Sequence, residues 1–315
     1  MPNNTFPPFW NLKFRAITML LVVILIGGCN SQISSIYKTD TATVSPSSAS
    51  QSATPTSQVK TQKSPAVATK PVASTVKATG PISTLHAIVM VDTNDPQIGG
   101  MISVDLKKMR SYLQKMATLS GLELSTKEFT SEQFRARNVE VHIQSIDVGN
   151  DDVLFFYYSG HGFRYQNQKV IWPYFDMQEP VSFDKIISTL RAKTPRLLVA
   201  LTDACNKVLD GASEPQMAFR SGVTGSRGYR TLFRKFKGEI LATSSSPGEY
   251  SQTTNYGSWF TRDFLMGLDS ETASKNPDWH DLMAAAGKKK SETYSGVNYF
   301  QTPHTVVNVQ PIAIN

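Results

Sequence analysis

The chain has 315 residues, 40% of them hydrophobic and 18% charged, with 32 Lys and Arg against 25 Asp and Glu for a formal charge of +7. That surplus is mild and spread along the chain, which excludes the clustered basic face that nucleic-acid binding needs. Only two cysteines are present, too few for a disulfide framework, and the five His and two Cys show no paired spacing of the kind that binds zinc.

Lys13 and Arg15 precede an apolar run, Ala16 to Gly28, that ends in small residues directly before Cys29. This charged-then-apolar layout is that of a secretory leader. The run falls short of the about 20 apolar residues that a membrane span needs. Leu25-Ile26-Gly27-Gly28-Cys29 resembles the lipobox of bacterial lipoproteins. The resemblance implies that residues 1–28 are a lipoprotein signal peptide and that Cys29 is lipidated after cleavage. It places the protein on the exported side of a bacterial cell envelope, anchored to membrane through acyl chains on Cys29. An uncleaved short membrane anchor is the competing reading.

From 29 to 81 the composition is Ser, Thr, Ala, Pro and Gln with scattered Lys and few large apolar residues. Such a stretch cannot bury enough surface to offset its chain entropy, so it is expected to be a disordered tether. With Cys29 lipidated, Cys205 is the one thiol left, and a solitary thiol in an oxidising compartment is a liability unless buried or used.

Residues 82–315 suit one globular domain, and their periodicity alternates. His86 to Val91 reads as a buried strand. Val104 to Leu119 carries Leu106, Met109, Leu113 and Met116 at helical spacing. Leu122 to Phe129 reads as a strand, and Ser131 to Ile146 as a helix with a Ser cap. Val153 to Tyr158 is a strand, Phe183 to Arg191 a helix capped by Ser182, and Leu197 to Thr202 a strand. Ile240 to Thr243 is a short strand, followed by helices at Trp259 to Leu268 and Trp279 to Lys290. Strands alternating with helices predict an α/β fold, a mostly parallel sheet flanked by helices on both faces.

Two stretches carry the chemistry. Tyr157 to Gly162 (YYSGHG) and Ala200 to Asn206 (ALTDACN) each follow an apolar run of strand length. His161 and Cys205 therefore fall just past the ends of two buried strands, where α/β sheets hold their ligands. A His and a Cys delivered there suit a thiolate nucleophile and its proton-transfer partner.

Tyr158-Ser159-Gly160-His161-Gly162 and Asp203-Ala204-Cys205 resemble the histidine and cysteine motifs of the caspase-like cysteine peptidases, closest to their metacaspase and bacterial orthocaspase branch. Ser244 to Ser251 (SSSPGEYS), Gly257 to Leu268 (GSWFTRDFLMGL) and Gln301-Thr302-Pro303 resemble later segments of the same fold. The resemblance covers roughly Thr84 to Val309. It implies a caspase-like fold and a cysteine endopeptidase in which Cys205 attacks the scissile carbonyl and His161 moves the proton. It implies an oxyanion hole from the backbone N–H groups of Gly162 and Cys205. Asp203 and Asp105 match the acids that select Arg or Lys before the cleaved bond in metacaspases. The competing roles are ordinary ones, Asp203 capping a loop and Asp105 opening a helix.

Two departures stand out. Asn206-Lys207-Val208 replaces the usual His-Ser-Gly after the cysteine, and Ile102-Ser103-Val104-Asp105 lacks the family's usual cysteine and Asn. Lys207 either favours the thiolate or faces solvent. Arg220, Arg227, Arg230, Arg234 and Lys235 sit in a segment expected to be a basic loop, a site for self-processing or simply a solvated surface. Calcium activates many metacaspases through clustered acids. Asp176, Asp184 and Asp210 lie in the corresponding region without ligand spacing, so no cofactor is required and calcium stands as an option. The expected partners are a peptide or protein substrate and the membrane. Two alternatives remain: a catalytically silent caspase-like binding module, and another cysteine hydrolase on the same fold.

Overall fold

Four apolar runs, at Leu85, Val153, Leu197 and Ile240, are too continuous to alternate and become strands covered on both faces. The computed structural model describes residues 83–207, 225–294 and 297–312. The expected leader, Cys29, the tether, Asp210 and Arg220 lie outside those residues. In chain order the elements are β1 (Thr84–Val91), α1 (Gly99–Ser120), β2 (Glu123–Thr130), α2 (Ala136–Ser145), β3 (Val153–Ser159), β4 (Gly162–Phe163), β5 (Tyr174–Asp176), β6 (Pro180–Ser182), α3 (Phe183–Arg191), β7 (Leu197–Asp203), α4 (Ser226–Arg234), β8 (Phe236–Thr243), α5 (Trp259–Ala273), α6 (Trp279–Ala286), β9 (Lys290–Tyr294), β10 (Val297–Gln301) and β11 (His304–Pro311).

Among the described residues the main sheet has the order β11-β8-β7-β3-β1-β2. Its strands run parallel except β11, which is antiparallel to β8. This is the expected α/β architecture. Alternate strand residues feed two cores. Leu85, Val89, Phe155, Tyr157, Val199 and Ile240 pack against α1, α4, α5 and α6. Ile88, Met90, Leu154, Phe156, Leu198 and Leu241 pack against α2, α3 and the small sheet β4-β5-β6. The predicted stripe of Leu106, Met109, Leu113 and Met116 is buried in the first core. Among the described residues no helix is long and apolar enough to cross a membrane.

Several expectations are corrected. The helix expected from Ser131 is a 3-10 turn, Ser131–Gln133, followed by α2 from Ala136. Phe134, buried against Tyr158, and the extended Arg135 separate the two pieces. Ser182 does hold the position before α3, but its side chain makes no capping bond. The last predicted helix stops at Ala286, where Gly287 N–H donates to the Met283 carbonyl at 2.8 Å and the chain then turns into β9. The expected basic loop contains α4, whose Tyr229, Leu232 and Phe233 recur at helical spacing and enter the core. Arg227, Arg230 and Arg234 are on its outer side. β4 to β6, the β9–β10 hairpin and β11 went unread because they are short, exposed or polar.

Candidate active site

β3 and β7 are neighbours in register, with Ser159 opposite Asp203, and Gly160 N–H donates to the Asp203 carbonyl at 3.3 Å. Both strands end there. Two residues further on each chain stand His161 and Cys205, so the register brings the two loops together at the carboxyl edge of the sheet.

The contact between the loops is close. A Cβ added to Gly162 would collide with the Cys205 carbonyl oxygen and lie 2.7 Å from Ala204 Cβ. Glycine is required at 162 because the chain packs on Cys205 itself. Arg164 N–H donates to the Lys207 carbonyl at 3.1 Å and continues that contact.

His161 is held at both ends. Its carbonyl accepts from the Tyr158 hydroxyl at 2.6 Å and from Asp176 N–H at 3.1 Å. Tyr158 is buried and stacked on Phe175 with ring centres 3.9 Å apart. The imidazole is 42% exposed, and its Nε2 lies 3.0 Å from Asp95 Oδ2. Asp92 and Asp176 stand nearby. Burial and the charge of Asp95 push the Asp92 carboxyl up from its ordinary value, against a downward pull from His161. These carboxylates, His161 and Glu132 border an open cavity of about 380 Å³.

Cys205 is half-buried. Ser251 N–H reaches its Sγ at 3.3 Å, and the Ser251 carbonyl lies 3.8 Å from the same sulfur. The Ser251 hydroxyl donates to Asp203 Oδ1 at 2.5 Å. Ser251 thus joins the thiol to the first of the two candidate specificity acids. Asp203 Oδ2 accepts from Thr261 N–H and from the Thr261 hydroxyl, each at 2.8 Å. Asp105 accepts from Ser258 N–H at 3.0 Å and from the Ser258 hydroxyl at 2.5 Å. Ser159 Oγ lies 3.5 Å from the same carboxylate. Gly257, at φ +95°, faces Asp105 so closely that a Cβ would strike Asp105 Oδ1.

Asp105 and Asp203 are therefore neighbours, and both are nearly closed off, 1% and 4% exposed. Burial first and the Asp203 charge second push the Asp105 carboxyl up to about 7; Ser258 and Lys108 pull the other way and are outweighed. Burial also raises Asp203, against the donors Ser251 and Thr261. Asp105 belongs to the interior of α1, six residues after Gly99, so it does not open the helix.

The departures after the cysteine now have physical content. Asn206 is fully buried, donates to the Ile171 and Ser245 carbonyls at 2.8 and 3.2 Å, and accepts from Arg164 at 2.9 Å. It clamps three loops around Cys205. Lys207 Nζ lies 4.3 Å over the Tyr250 ring and 3.2 Å from its hydroxyl.

A family model described as the caspase domain matches residues 101–308. The chain belongs to the caspase-domain family. Among solved structures, a structural-genomics protein of Geobacter sulfurreducens is similar at 11% identity, covering 72% of this chain and 93% of its own, with a TM-score of 0.45. Caspase-1 from Spodoptera frugiperda is similar at 15% identity, covering 71% and 85%, with a TM-score of 0.44. No curated protein matches the sequence.

Asp95, Ser251, Ser258 and Thr261 were missed by sequence reasoning. Asp95 had a readable signal, since it lies in the loop that follows β1 at the same sheet edge. Among the described residues no group of three or more His, Cys, Asp or Glu side chains is arranged to hold a metal ion. Asp176 lies beside the His161 loop and Asp184 in the first turn of α3.

Proposed function

We propose that the protein is a cysteine endopeptidase that cleaves after Arg or Lys through Cys205 and His161, held at a bacterial envelope by lipid on Cys29. Cys205 as thiolate attacks the scissile carbonyl carbon, and the oxyanion is met by the N–H groups of Cys205 and Gly162. His161 passes a proton to the departing amine nitrogen. It then takes one from the water that hydrolyses the thioester and frees Cys205.

The observation that carries the specificity is the linkage Cys205–Ser251–Asp203, with Asp105 behind it. Two adjacent carboxylates, two residues and one hydrogen-bonded serine from the nucleophile, repel one another and are costly to bury. A guanidinium or ammonium group relieves both penalties through charge-assisted bonds. Because both acids are closed off, the geometry requires the Ser251 and Gly257 segments to part when a side chain enters. The lipid anchor rests on the apolar run and on Leu25 to Cys29.

The test is cleavage of fluorogenic peptides ending in Arg, Lys or Asp by the protein and by Cys205→Ala. The expected result is hydrolysis after Arg and Lys, reduced at least ~10³-fold by the substitution. Cleavage retained by Cys205→Ala removes Cys205 from the mechanism. Cleavage after Asp alone removes Asp105 and Asp203 from the pocket.

A further inference from the structure

We infer that Asp95 is a positioning residue for His161, turning the pair of Cys205 and His161 into a three-member chain. This inference rests on the peptidase reading of those two residues.

Asp95 stands in the loop between β1 and α1, and its carboxylate is fixed on both oxygens. Oδ1 accepts from Gln97 N–H and Ile98 N–H, each at 2.8 Å. The Asp95 carbonyl accepts from Gly99 N–H at 3.0 Å, and Asp95 N–H donates to the Asp92 carbonyl at 3.3 Å. With Oδ1 held by two peptide groups, Oδ2 has one direction left, and it faces His161 Nε2 at 3.0 Å. The Asp95 side chain is 14% exposed against 42% for the imidazole, so water competes weakly at the acid end. His161 in turn has its carbonyl pinned by Tyr158 and Asp176.

A carboxylate only accepts, so the bond requires the hydrogen on Nε2. Neutral His161 then has a bare Nδ1, the ring's other nitrogen. Whatever proton the thiol gives up, and whatever proton reaches the leaving amine, passes through Nδ1. A ring in the opposite tautomer has no lone pair there and cannot act as the acceptor. In this arrangement Asp95 acts through the imidazole, choosing the tautomer and holding the ring plane. Asp92 and Asp176 also face the imidazole's surroundings, but among the described residues Asp95 is the carboxylate recorded within bonding distance of the ring.

Asp95→Asn separates this role from the structural one. Its amide oxygen still accepts from Gln97 and Ile98, so the loop keeps its hold. Its amide nitrogen, now facing Nε2, is a donor and demands a bare Nε2. The experiment is histidine ¹⁵N NMR of the full chain at alkaline pH, where imidazoles are neutral, with His161 assigned by its loss in His161→Ala. Kinetics of Arg-peptide cleavage run beside it. The expected result is Nε2–H in the wild type and Nδ1–H in Asp95→Asn. With it, kcat falls about 10²-fold and KM stays within about two-fold. Nε2–H retained in Asp95→Asn, or the tautomer moving while kcat does not, overturns the inference. The tautomer needs no turnover, so a wild-type protein that cleaves nothing counts against the peptidase reading while Asp95 is still decided.

Discussion

Two His–Asp pairs of the same length stand at opposite ends of one sheet. At the amino end, His86 Nε2 lies 3.0 Å from Asp152 Oδ2, and Asp152 also accepts from Thr84 N–H at 2.7 Å and Gly149 N–H at 2.8 Å. Burial pushes the Asp152 carboxyl up, but Thr84, Gly149 and His86 together hold it below its ordinary value. At the carboxyl end, His161 is paired with Asp95 near Cys205 and two acids that burial drives upward, Asp105 further by the charge of Asp203. The first site satisfies its charge and fastens strand ends. The second leaves its charge poorly met and its histidine open. Pair chemistry alone does not separate a fastening from a working site; strand direction and unrelieved charge do.

The largest effect expected from this contrast falls on Asp203. Asp203→Asn removes one charge of the unrelieved pair and is predicted to cost roughly 2 kcal/mol in kcat/KM for Arg peptides, about 30-fold, with the discrimination over neutral residues narrowed. Steady-state kinetics on matched Arg and Gln peptides measure it, and an unchanged ratio breaks the assignment of the pocket.

Asp152→Ala strips an acceptor from three donors at the fastening end. It is predicted to lower unfolding stability by about 1–3 kcal/mol while leaving kcat for Arg peptides within about two-fold. Denaturant unfolding and kinetics on the same sample check both halves. A large loss of kcat in a folded variant would erase the distinction between the two ends.

The smallest effect is a slope. Asp105 holds its proton up to about pH 7 when folded and releases it near its ordinary value of 3.8 when unfolded. The folded state therefore binds more protons between those values, and stability falls as pH rises through that window. Asp105→Asn is predicted to flatten this part of the Tm-against-pH curve and to gain on the wild type above pH 7. Parallel curves would mean that Asp105 is not the group being strained.

Much of this was legible in the sequence, for identifiable reasons. Val153 to Phe156 and Leu197 to Leu201 are apolar at every position, so both strands announce themselves and place His161 and Cys205 at their ends. Leu106, Met109, Leu113 and Met116 likewise declare the buried face of α1. The polar framework was not legible. Ser251, Ser258 and Thr261 are ordinary residues until the fold sets them against Asp203 and Asp105. Asp95 is one of several acids in a loop until β1 and β3 pair and bring it to His161. The burial of Phe134, which breaks the expected helix, depends on Tyr158 across the sheet. Long-range partners decide these features, and no local pattern carries them.

The central claim is a Cys205 nucleophile served by a cation-selecting pocket. Covalent labelling tests it most directly: thiol-reactive peptidyl ketones ending in Arg or in Asp, with the modified residue located by mass spectrometry. The account predicts one equivalent of the Arg probe on Cys205, little of the Asp probe, and loss of labelling in His161→Ala. Labelling of Cys205 by the Asp probe in preference to the Arg probe would contradict it.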